Sequence, residues 1–113
     1  MDAVICADEI GALGNAESVV HLDTCDVRVV EWRLKPGGST PPRRHNCDFV
    51  RVSLTNGQLR TIGAQGEISL KITLGSSSLH TAPLEQAVIN DSDACLAFIE
   101  IDLKHTVQRL ISS

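Results

Sequence analysis

Two arginines and a histidine, Arg43, Arg44 and His45, emerge from the turn-rich stretch GGSTPPRRHNCDF at residues 37–49. An imidazole can ligate a metal, act as a base near neutral pH, or simply hydrogen-bond on a loop. A guanidinium has no lone pair to donate to a metal. It carries a fixed charge on a planar fork that suits a carboxylate or a phosphate. Arg44 alternates with Arg43 and reads as a solvated surface charge. His21 and His105 have no evident partners and read as surface residues. Trp32, the only tryptophan, reads as core or interface. Cys6, Cys25, Cys47 and Cys95 contain no Cys-x-x-Cys pair, which excludes a zinc knuckle or a thioredoxin-like site. They read as reduced, partly buried small hydrophobes, with the role of Cys47 left open.

The elements that must position these groups are mostly strands. SVVHLDTCDVRVVEWRL holds two β-branched runs with Thr24, Cys25 and Asp26 as the turn. KPGGSTPP then breaks the chain, since proline cannot donate to a ladder. FVRVSLTNGQLRTIG contains Asn56-Gly57, which predicts a type I′ hairpin. In EISLKITLG, Ile68, Leu70, Ile72 and Leu74 share one face. QAVIN and CLAFIEIDL give two more strands, and KHTVQRLIS alone has helical spacing. Many short strands between turn signals predict an all-β sandwich or barrel. At 113 residues and 42% hydrophobic content the chain is read as a single domain spanning 1–113. Its net charge of −4, with scattered cations, argues against a nucleic-acid partner. No apolar run is long enough to span a bilayer, and the N-terminus lacks the basic start of a signal peptide. These features predict a cytoplasmic protein with no membrane contact.

Two spaced motifs sharpen the fold. Gly37 is followed by five residues, Arg43-Arg44-His45, four residues, Val50, six residues and Gly57. Gly75 is followed by five residues, Thr81-Ala82-Pro83, two residues, Gln86, three residues and Asn90. In this spacing the chain resembles the cupins, above all small single-domain bacterial cupins of the RmlC-like superfamily. Their first motif reads Gly, His-x-His, Glu, Gly, and their second reads Gly, Pro-x-Gly, His, Asn. The flanking VRVVEWRLKPGG and FIEIDLK look like the same subgroup, and the resemblance covers about residues 17–104. It implies a cupin-type antiparallel jelly-roll β-barrel (a double-stranded β-helix), here with a short C-terminal helix.

The resemblance also implies a degenerate metal site. Metal-binding cupins hold one divalent ion with the two His and the Glu of the first motif and the His of the second. The matching positions here are Arg43, His45, Val50 and Gln86, so His45 is the only retained ligand position and no metal cofactor is expected. Placing Val50 inward, with Val52 and Leu54, turns Arg51 and Ser53 outward. That choice avoids an unpaired buried arginine, which is costly. The resulting pocket joins Arg43, His45 and Gln86 to an apolar wall of Val50, Val52 and Phe98 and suits a small polar or anionic metabolite. An alternative is a cupin enzyme, either an isomerase or epimerase using His45 as base or a metal-dependent dioxygenase with an atypical site. A further alternative is a structural dimer with a vestigial site. The β-rich N-terminal half, with its edge-strand material, predicts a homodimer.

Overall fold

A computed structural model describes residues 16–105. Nine strands make up the order β1 (Ala16–Asp23), β2 (Val27–Leu34), β3 (Arg43–His45), β4 (Asp48–Ser53), β5 (Gly57–Gly63), β6 (Gly66–Ile72), β7 (Ser77–His80), β8 (Leu84–Asn90) and β9 (Leu96–Leu103). One sheet runs β1-β2-β9-β4-β7 and the other β3-β8-β5-β6, and every pairing is antiparallel. This is the expected cupin-type jelly roll. The predicted C-terminal helix falls on residues 106–113, outside the described residues. No described helix is long and apolar enough to cross a membrane.

Local chemistry accounts for the connections. The Thr24 hydroxyl accepts from the backbone N–H groups of Asp26 and Val27, both at 3.1 Å, and so closes the predicted β1–β2 turn. The expected Asn56-Gly57 hairpin does not form. β4 and β5 belong to different sheets, so this dipeptide carries the chain across the barrel. Gly57 is needed there for closeness, since a Cβ would lie 2.6 Å from Ser92 Oγ. The β5–β6 hairpin turns instead at Gly66, whose φ of 101° a side chain would resist.

Inward-facing residues stack in cross-strand rows. Trp32, Phe98 and Ser53 form one row, Val30, Glu100 and Arg51 the next, and Arg28, Asp102 and Phe49 the third. The rows grade from apolar to polar along the barrel. At one end Leu34, Leu59, Val88, Leu96 and Phe98 close a core from which solvent is excluded. Each such side chain contributes roughly 1.5–3 kcal/mol on burial. Asn90 seals this end by donating to the carbonyls of Leu34 and Ala94. The other end carries the charged rows.

The row pattern corrects the expected facing of β4. Phe49, Arg51 and Ser53 are buried, whereas Val50 pairs in register with Leu79 and Ile101 on the outer face. Val52 shares that outer face by strand alternation. The premise that failed was that Arg51 would lack a partner, because Glu100 supplies one. Cys25 and Cys47 are free thiols, but Cys95 is disulfide-bonded, against the expectation that every cysteine stays reduced. His21 and His105 each meet a carboxylate, Glu31 at 2.7 Å and Asp26 at 3.1 Å, and so are not partnerless.

Candidate functional site at the polar end of the barrel

β3 is three residues long and is aimed by the arm that precedes it. Gly37 N–H donates to Asn90 O, Asn90 N–H to Gly38 O, and Thr40 N–H to Val88 O, each at 2.9 Å. The Thr40 hydroxyl accepts in return from Val88 N–H at 3.0 Å. The arm is thus strapped along β8, and β3 pairs with β8 so that Arg43 faces Gln86 and His45 faces Leu84.

Arg43 reaches into the barrel and grips Glu100, with Nη1 donating to Oε1 at 2.7 Å and Nη2 to Oε2 at 3.2 Å. Arg51 approaches Glu100 from the neighbouring strand of the same sheet, with Nη2 at 2.7 Å and Nε at 3.2 Å from Oε2. Arg51 Nη2 also donates to Gln86 Oε1 at 2.9 Å. Burial alone would raise the Glu100 pKa, but the hydrogen bonds from Arg43 and the charge of Arg51 outweigh it and hold the carboxyl below its usual range. Two guanidiniums against one carboxylate leave this cluster with one uncompensated positive charge. Aromatic faces surround it. Arg43 lies 4.6 Å above the Trp32 ring, and Arg51 sits 5.3 Å from Phe49 and 5.1 Å from Phe98.

Phe49 is stacked between two imidazoles, His45 at 4.1 Å and His80 at 4.8 Å between ring centres. Burial lowers the His45 pKa to about 4; the Glu100 charge opposes this and the charges of Arg43 and Arg51 reinforce it. His45 is therefore neutral at neutral pH. Burial, aided by Arg51, also lowers the pKa of His80. Burial, followed by the Glu100 charge, raises that of Asp102.

A cavity of about 290 Å3 opens beside this cluster. Arg28, Arg43, Arg44, Glu100 and Asp102 supply its charges, and Trp32 and His45 its rings. Around it, Trp32 Nε1, Arg43 Nε and His45 Nε2 are buried without a hydrogen-bond partner among the described residues. Buried polar atoms rarely stay unpaired, and each costs about 1–3 kcal/mol.

Of the residues expected in the site, Arg43 and His45 line the cavity. Gln86 stands behind them as the acceptor for Arg51. Phe98 belongs to the core floor, and Val50 and Val52 lie on the other face of their sheet. Arg44 is exposed as expected, with Nε donating to Asn46, yet it forms part of the cavity rim. The sequence reading missed Arg51, Glu100, Asp102 and Phe49. A signal for two of them was present: Glu100 and Asp102 follow Phe98 at steps of two on β9 and must share its face.

A divalent metal does not fit these residues. With Phe49 inward, the position of the first-motif Glu is a phenyl ring, Arg43 is a cation, and the Gln86 oxygen is already bonded to Arg51. Two other donor side chains near the site are also engaged. Asp48 accepts from Ala82 N–H at 2.8 Å, and His80 is bonded to Ser78 and cut off from His45 by Phe49. Among the described residues no group of three or more His, Cys, Asp or Glu side chains is placed to hold an ion.

Comparison with known proteins places this architecture. A cupin domain from Bordetella pertussis Tohama I superposes with a TM-score of 0.77 at 37% identity, covering 80% of this chain and 95% of that one. The β-alanine degradation protein BauB of Pseudomonas aeruginosa is 35% identical over 89 residues, 79% of this chain and 94% of its own length. A double-stranded β-helix protein of Klebsiella pneumoniae shares the fold at a TM-score of 0.70 and 18% identity, over 82% of this chain and 80% of that one. No family model matches the chain.

Proposed function

The chain belongs to the cupins, among the small bacterial members, and on that footing we propose that it binds a small carboxylic acid at the polar end of its barrel without a metal ion. The observation that carries this reading is the set of unpartnered nitrogens, Trp32 Nε1, Arg43 Nε and His45 Nε2, gathered around one cavity. The side chains that carry them, Trp32, Arg43 and His45, all line the cavity, so an acceptor bound there lies beside them. The uncompensated positive charge of the Arg43–Glu100–Arg51 cluster sets the sign of that acceptor. The Pseudomonas relative is named for β-alanine degradation, so short acids of two and three carbons are the first series to try.

Thermal-shift titration with acetate and propionate tests the reading, because a ligand that binds only the native state raises the melting temperature. Wild type should gain several degrees at millimolar acid. Arg43→Lys keeps a charge but loses the Nε–H and the planar fork, and should lose most of that gain. Arg60→Ala, remote from the cavity, should keep it. Equal responses of the two variants, or no response in wild type, would remove the site.

An isomerase reading with His45 as base is less well supported. A base with a pKa of about 4 is a weak proton acceptor from substrates at neutral pH. A dioxygenase reading finds no donor set for its metal among the described residues. The vestigial-dimer reading leaves the buried nitrogens without a purpose. The assembly is proposed as a homodimer, since β1 ends one sheet and exposes Val19, Val20 and Leu22.

A further inference from the structure

The cavity has a second pole. Asp102 lies on β9, inward-facing, in register with Arg28 on one side and Phe49 on the other. It lines the same cavity as Arg43 and His45. It is half-buried, and among the described residues it makes no hydrogen bond or ion pair. The neighbouring acid cannot share its role, because both Glu100 oxygens are taken by Arg43 and Arg51. On the cavity wall, among the described residues, Trp32 and Arg43 carry N–H donors without partners, His45 Nε2 is unpartnered in a role set by its tautomer, and Asp102 is a carboxylate without a hydrogen bond, with the exposed Arg28 beside it.

We propose that Asp102 binds a protonated amine on the same ligand, so that the cavity takes a short amino acid with its carboxylate at Arg43 and its ammonium at Asp102. This rests on the carboxylic-acid reading above. A half-buried, unpaired carboxylate is costly, and an ionised donor gives it the strongest hydrogen bond available. The size agrees. A cavity of about 290 Å3 is roomy enough for a compact ligand. The competing arrangement is a dicarboxylate, drawn to Arg28 and Arg43 together. Arg28, however, is exposed and free to turn to solvent.

Calorimetric titration of wild type with propionate, malonate and 3-aminopropionate separates these cases, with Asp102→Asn and Arg43→Lys as variants. The amino acid should bind roughly tenfold more tightly than propionate, the factor worth about 1.4 kcal/mol. Asp102→Asn should bring that ratio close to one while leaving propionate bound at least as well. Circular dichroism establishes that each variant is folded. A preference for malonate, equal binding of propionate and 3-aminopropionate, or a preference that survives Asp102→Asn would overturn the role of Asp102 while leaving the carboxylate site standing. Failure of every acid to bind wild type, or binding unchanged by Arg43→Lys, would instead sink the underlying site.

Discussion

Glu100 is the residue on which the polar end of the barrel turns, and Glu100→Gln tests that directly. The change preserves shape and one acceptor oxygen but deletes the charge shared by Arg43 and Arg51. Arg51 is 5% exposed and Glu100 3%, so solvent cannot replace the lost partner. Breaking a buried pair by removing one member costs about 3–5 kcal/mol. The retained amide oxygen places the expected loss near the lower figure, about 3 kcal/mol, against a total stability of roughly 5–15 kcal/mol for a domain. With a urea m-value of about 1.5 kcal/mol per molar, the midpoint should fall by about 2 M. Far-UV circular dichroism and the fluorescence of Trp32, the only tryptophan, report the transition. The comparison is Asp91→Asn, which breaks the solvent-screened surface pair of Arg60 with Asp91 and should barely move the midpoint. Arg51→Met added to Glu100→Gln removes a stranded cation, so the double variant should be more stable than the sum of the two losses by about 1 kcal/mol or more. If Glu100→Gln costs no more than Asp91→Asn, the buried triad does not hold this end together.

The neutral His45 makes the protein acid-sensitive. Its folded pKa of about 4 lies below the ordinary 6.5, so the unfolded chain takes up the proton first as pH falls. Stability is untouched above about pH 6.5, declines by about 3 kcal/mol towards pH 4 and then levels off from this source. His45→Gln should flatten that part of the curve, and a His45 imidazole signal titrating above pH 6 in the folded protein would contradict the assignment. Elemental analysis should find well under one equivalent of iron, zinc, nickel or manganese in purified protein, and stoichiometric metal lost in His45→Gln would reverse the metal-free reading. Light scattering at micromolar concentration should give twice the chain mass of 12.2 kDa. Val19→Lys on the exposed edge strand should shift it to monomer, and a monomeric wild type would end the dimer proposal.

The sequence alone determined the class of the fold, because strand alternation and turn residues are local signals. The spacing of Gly37, His45, Gly57, Gly75 and Asn90 then carried the resemblance to the cupins, which implies one barrel architecture. It also placed Arg43 and His45 at the site, since both fall on motif positions of a short strand that the barrel aims inward. What the tertiary structure decided was which face of β4 is the inside. A period-2 pattern defines two faces but does not label them, and here the apolar Val50 and Val52 pointed to the wrong one. The label came from Glu100, 49 residues beyond Arg51 in the chain. Only its pairing with Arg51 makes a buried guanidinium affordable, and only that facing brings Phe49 between His45 and His80. The fate of Asn56-Gly57 had the same origin. The dipeptide is compatible with a tight hairpin, but the long-range pairing of β4 with β9 and of β5 with β8 sends its flanking strands to opposite sheets. Contacts distant in sequence carry no local signature, so the charge balance of the cavity and the free carboxylate of Asp102 became visible only once the strands were in register.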